Sequence, residues 1–172
     1  AVIDGATVNA DTIEVKNGSS LSFVKQDPSL LSDAKLFYTN KEDIASDGKT
    51  VLNANEITIE DSSIFVAEDV QLDIQGLDVE IDVESGHAVC AEQQSVINIG
   101  TETANEIEIS ALDGMGIRAK NGAIVSVGNE NTKSVDIASG SSYGVLALAQ
   151  GAHVDIKGKN IKIATNADEA GA

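Results

Sequence analysis

The chain has 172 residues, of which 42% are hydrophobic, enough for one domain with its own core. Its formal net charge of −17 excludes a nucleic-acid ligand held by phosphate neutralisation and disfavours an anionic membrane surface; no apolar run approaches the ~18 residues that cross a bilayer. A single cysteine, Cys90, excludes an internal disulfide, and nothing has zinc-ligand spacing.

In chain order, Thr12-Ile13-Glu14-Val15 and Leu21-Ser22-Phe23-Val24 alternate as short strands do. Residues 27–48 break the pattern and read as an irregular insertion or cap. Asp27 at an N-cap, Pro28 at the first helical position and the spacing of Leu30, Leu31 and Ala34 predict a short helix there. From Glu56-Ile57-Thr58-Ile59 onward the chain consists of alternating apolar strands separated by turn signals such as Asn121-Gly122. Thr165 to Ala172 has no apolar pattern and is expected to fray. The start, Ala1-Val2-Ile3-Asp4-Gly5, lacks a basic and apolar leader, so the chain reads as either cytoplasmic or a mature or excised piece of an exported protein.

Three stretches repeat: His87 to Gly100, Met115 to Gly128 and Tyr143 to Gly158. The small residue at the fifth place of each, Ala91, Ala119 and Ala147, recurs every 28 residues (119 − 91 and 147 − 119). Each copy leads into another alternating strand, starting at Glu106, Ser134 and Asn160. A period of this size built of strands and turns predicts a solenoid with three short strands per coil of about 24–28 residues. A β-sandwich also has many short strands, but it has no reason to repeat a three-strand unit in order. Alternation places Ile81, Val83, Val89, Ala91, Ile97 and Ile99 inward in one coil, and Ile107, Ile109, Ile117, Ala119, Val125 and Val127 inward in the next. Aromatics are 3% of the chain, so branched aliphatics must fill a narrow interior. The expected axial ladder is Ile57, Ile81, Ile107, Val135 and Ile161, at spacings of 24, 26, 28 and 26.

The segments Gly116-Ile117-Arg118-Ala119-Lys120-Asn121-Gly122-Ala123 and Gly144-Val145-Leu146-Ala147, each followed by an alternating Val/Ile strand that closes on a glycine, resemble the passenger domains of bacterial autotransporters. The likeness covers roughly residues 55–165 and is architectural, without a functional residue attached. It implies an all-β, right-handed parallel β-helix of the pectin-lyase-like kind. Residues 1–172 would form one solenoid domain, a fragment of a longer passenger whose C-terminal barrel is missing from this chain. The function it implies is non-enzymatic adhesion, aggregation or biofilm formation at a bacterial cell surface, with partners that are the protein itself or a surface protein or glycan. A structural stalk is a further reading.

Enzymes also use parallel β-helices, and a polysaccharide lyase or hydrolase would draw its acid and base from Asp73, Asp82, Glu108 and Asp136. Arg118 is the one arginine, and His87 and His153 lack a catalytic partner at a recognisable spacing. No cofactor motif is present. Outward carboxylates are expected to stack as Glu56, Glu80 and Glu106, beside Asp82, Glu108 and Asp136. These rows form either a solvated acidic face or a ladder that calcium would relieve. A second outward row, Val66, Cys90, Arg118 and Leu146 with Leu148 close by, is the candidate partner-binding face.

Overall fold

The computed structural model describes residues 7–9, 12–15 and 21–23 as backbone, and residues 49–67 and 69–165 with their side chains. The helix expected within 27–48 lies outside the described residues, among which there is no helix. The strands are, in order, β1 Thr7–Asn9, β2 Thr12–Val15, β3 Leu21–Phe23, β4 Lys49–Glu60, β5 Ile64–Val66, β6 Gln71–Ser85, β7 Val89–Ala91, β8 Val96–Ile99, β9 Glu106–Asp113, β10 Ile117–Lys120, β11 Ile124–Val127, β12 Ser134–Ser139, β13 Val145–Leu148, β14 His153–Ile156 and β15 Asn160–Thr165.

Every pairing between them is parallel, and together they form a β-solenoid of about four turns. Three strips of strand run along the axis. The first stacks β1, the front of β4, the front of β6, β8, β11 and β14. The second stacks β2, the back halves of β4 and β6, β9, β12 and β15. The third stacks β3, β5, β7, β10 and β13. In β4 and β6 the first and second strips join without a loop. Ala54 pairs with Gly76 at that corner, and Asn55 and Leu77 have no partner in the register. A side chain added at Gly76 would stand 3.0 Å from Val79 Cγ2 and 3.1 Å from the Asp78 carbonyl, so the corner requires small residues.

The alternation read from the sequence is the alternation of burial. All twelve inward positions named above are at most 2% exposed. Axial columns fill the interior, among them Leu52–Ile74–Ile99–Val127–Ile156, Ile59–Ile81–Ile109–Ile137–Ile163 and Val66–Ala91–Ala119–Ala147. The 28-residue interval of the last column therefore corresponds to one coil. Each isoleucine or leucine withdrawn from water in this way contributes up to about 1.5–3 kcal/mol.

The axial ladder expected from the sequence is wrong at one member. Ile57 pairs with Val79, and Val79 pairs with Ile107, so Ile81 belongs one step along, between Ile59 and Ile109. The spacings are then 22, 28, 28 and 26 (79 − 57, 107 − 79, 135 − 107, 161 − 135). Strand side chains repeat every two residues, so a slip of two keeps every residue on its face and leaves the burial pattern unchanged. Hydrophobic alternation alone could not distinguish Asp78-Val79-Glu80-Ile81 from Glu80-Ile81-Asp82-Val83 as the partner of Glu56-Ile57-Thr58-Ile59. The loop-free corner shortens this coil and decides the register.

Candidate functional site

The outward positions of the second strip carry carboxylates on successive coils. Glu56, Asp78 and Glu106 form one column, which continues into Ser134 and Asn160. The next column runs Thr58, Glu80, Glu108, Asp136 and Lys162. A third holds Glu60, Asp82 and Ser110, and the Ser110 hydroxyl donates a hydrogen bond to Asp82. The expected stacks of Glu56, Glu80 and Glu106, and of Asp82, Glu108 and Asp136, are thus corrected by the same two-residue slip. Glu80 moves beside Glu108, Asp82 leaves that column, and Asp78 enters between Glu56 and Glu106.

Adjacent strands are about 4.8 Å apart, so each like-charged pair in these columns repels by roughly 1 kcal/mol in water. The columns border an open concavity of about 180 Å3 lined by Glu56, Ile57, Thr58, Asp78, Val79, Glu80, Glu106 and Glu108. That volume falls below the roughly 300–1,000 Å3 of small-molecule pockets. Among the described residues, no three of His, Cys, Asp or Glu stand in an arrangement that could hold a metal ion.

Asp73 is separated from these groups on the first strip. It is 4% exposed although its position points away from the core, because its neighbours cover it. Lys49 Nζ lies 2.5 Å from its Oδ2, while the side-chain amides of Gln71 and Asn98 donate to Oδ1 at 2.9 and 2.8 Å. A buried carboxylate needs such partners. Asp73 therefore ties three coils together, and it does not share a surface with Asp82, Glu108 and Asp136.

The third strip carries the mixed row, again with one correction. Phe65, Cys90, Arg118 and Leu146 are register partners. Val66 pairs with Ala91 and is fully buried, because the offset from β5 to β7 is 25 residues (90 − 65) and not 24. A slip of one residue exchanges the two faces of a strand. Leu148 lies in the next outward column, opposite Lys120, and is 47% exposed. Arg118 Nη2 reaches Glu92 Oε1 at 3.2 Å, and the Cys90 thiol contacts the same carboxylate oxygen at 4.0 Å. Burial pushes the Cys90 thiol up from its usual pKa, against the opposing pull of Arg118. Cys90 is only 6% exposed, so it acts as a small apolar filler in this row.

His87 has a structural role that the sequence did not announce. Its Nδ1 accepts a hydrogen bond from the Met115 backbone N–H at 3.1 Å and links one coil to the next, so its ring is neutral with the proton on Nε2. Burial, and secondarily Arg118, hold its pKa below the ordinary histidine value of about 6.5. A histidine with a lowered folded-state pKa contributes stability above the unfolded value and loses it as pH falls through the folded one. Thermal melts of the wild type and of His87→Gln should therefore converge or cross as pH drops from 7.5 to 5, with the wild type losing more. Parallel pH curves for the two would contradict the hydrogen bond.

No protein-family model matches this chain, and comparison with curated proteins and with solved structures returns no match.

Proposed function

We propose that this solenoid is a non-enzymatic contact module of an exported bacterial surface protein, acting in adhesion or self-association through its long lateral faces. The observation that carries this reading is the register of the second strip. Carboxylates occupy the same outward position on successive coils, which makes an extended acidic surface beside a small open concavity. The autotransporter-like segments at Gly116 and Gly144 support placing that surface outside the cell. Such a face suits a basic partner, or a second acidic face bridged by a hard divalent cation that relieves the repulsion within the columns.

Sedimentation across protein concentrations, with calcium and then with chelator, tests the reading. Association that calcium promotes and chelator reverses is expected, and the combined substitution Glu80→Gln, Glu106→Gln, Glu108→Gln should abolish the calcium response. A wild type that stays monomeric with calcium and fails to bind bacterial or host surface preparations would overturn it.

A further inference from the structure

Asn121 and Gly122 make the turn between β10 and β11. Both have positive φ, +54° and +81°, and the Ala123 N–H donates to the Lys120 carbonyl at 3.3 Å, so the turn is of type I′, which favours Asn-Gly. Asn121 is exposed, and among the described residues neither its side-chain amide nor the Gly122 N–H has a hydrogen-bond partner. This pair holds the atoms of a reaction. The Gly122 nitrogen, once deprotonated, can bond to the Asn121 side-chain carbonyl carbon, releasing the side-chain nitrogen as ammonia and closing a five-membered succinimide. Water then opens the ring at either carbonyl, leaving aspartate or, with the main chain rerouted through Cβ and Cγ, isoaspartate. Glycine has no side chain to hinder the attack. Asn98, Asn129 and Asn160 are followed instead by Ile99, Glu130 and Ile161, and their amides are tied to Asp73, the Gly100 carbonyl and the Lys133 carbonyl.

The folded turn opposes that closure. The ring needs the Gly122 nitrogen beside Cβ, at a ψ for Asn121 of about −120°, the value of a type II′ turn, whereas a type I′ turn sets ψ at about +30°. The nucleophile is thus turned about 150° away from the carbon it would attack. Passing from one turn to the other flips the peptide between Asn121 and Gly122, and the coils on both sides resist the flip. The Asn121 carbonyl accepts from the Gln94 N–H of the preceding coil at 3.1 Å, and the Asn121 N–H donates to the Leu148 carbonyl of the next at 3.3 Å. The flip swings the carbonyl away from Gln94 and leaves both groups unpaired.

We infer that Asn121 is a deamidation site that the stacking of the coils keeps closed, and that its conversion to isoaspartate prevents an opened turn from closing again. Isoaspartate adds a main-chain atom between Ala119 and Ala123, which are both fully buried, so the two inward positions can no longer hold their places together. The carbonyl that met Gln94 becomes a carboxylate off the main chain. Aspartate at the same place keeps the main chain and adds only a charge. Separation of the coils at this turn is therefore recorded covalently. The site lies between the third and first strips, apart from the acidic columns of the second, and is independent of their role in contact.

Incubating the full chain at mildly alkaline pH, with and without denaturing guanidinium chloride, tests the site. Peptide mapping reads it separately from Asn17-Gly18, which lies outside the described residues. A synthetic peptide of residues 118–125 in the same two solvents gives the rate without the fold. Asn121 should convert at least roughly tenfold more slowly in the folded chain than in the unfolded chain or the peptide, a factor that corresponds to an opening free energy of about 1.4 kcal/mol. After removal of denaturant, isoaspartate chains should melt below both the wild type and the Asn121→Asp variant. Equal rates in the folded chain and the peptide, no conversion in the unfolded chain, or isoaspartate chains that melt no lower than Asn121→Asp would overturn the proposal.

Discussion

Replacing Ile109 by alanine is expected to lower the unfolding free energy by about 3–4 kcal/mol, as for other fully buried isoleucines truncated in a tight core. Ile109 is fully buried in the column between Ile81 and Ile137 and belongs to the continuous apolar cluster that runs through the coils. In a solenoid each coil touches only its neighbours, so a cavity there weakens two interfaces at once and has no distant part of the core to relax into. Ile163 provides an internal control. It ends the same column and is 50% exposed, so its alanine variant should lose roughly half as much in dilute solution. Urea unfolding of both variants measures the difference, and equal losses would contradict the half-exposed position of Ile163.

The second large effect is expected at a turn. Gly128 has φ of +68°, a left-handed conformation that disfavours any residue with a Cβ. Its N–H donates to the Ile99 carbonyl at 2.8 Å, which fixes it against the preceding coil, and on the other side an added Cβ would overlap the backbone carbonyl oxygen of Lys157. Strain and overlap combine, so Gly128→Ala should cost about 3 kcal/mol. Gly151 separates the two causes. Its φ is +79°, but a Cβ there would meet nothing nearer than Gly122 Cα at 3.4 Å. Gly151→Ala should therefore cost only the conformational part, about 1–2 kcal/mol. Comparable costs at the two glycines would mean that the coils around Gly128 can separate to admit a methyl group.

The sequence disclosed the solenoid because its repeat unit is an architectural requirement. Ala91, Ala119 and Ala147 share one column, and the spacing of 28 between them measures the coil directly. Inside and outside were legible for the same reason, through the two-residue period of a strand. Register was not legible in the shorter coils. Between β4 and β6 the chain turns a corner without a loop, and the acidic-apolar alternation of residues 78–83 matches Glu56 to Ile59 equally well in two alignments. The misplacement of Glu80 and Asp82, and the omission of Asp78, follow from that degeneracy. At Val66 a single residue of difference in coil length moved a side chain from the surface to the core, with Phe65 taking its place.

Contacts that depend on side-chain reach were the least legible. Glu92 lies in a turn that reads only as polar, yet it neutralises Arg118 and touches Cys90. Asp73 could be read from the sequence as a catalytic carboxylate. Its engagement by Lys49 and Asn98 depends on three coils being stacked, and no local pattern encodes that. Exposure follows the same logic: Ile161 and Ile163 look like any other inward pair, yet they are 46% and 50% exposed.

The acidic columns depend on a register that cysteine pairs can test directly. With Cys90 replaced by serine, Asp78→Cys combined with Glu106→Cys places two thiols on directly paired positions. Their Cα atoms are then about 4.8 Å apart, within the range a disulfide spans. The combination of Glu80→Cys with Glu106→Cys is displaced by one two-residue step, so its Cα atoms are about 8 Å apart and beyond that range. Mild oxidation at high dilution, followed by peptide mapping without reductant, should show an intramolecular disulfide in the first variant and free thiols in the second. The reverse result would return Glu80 to the column of Glu56 and Glu106 and contradict the arrangement of the acidic face.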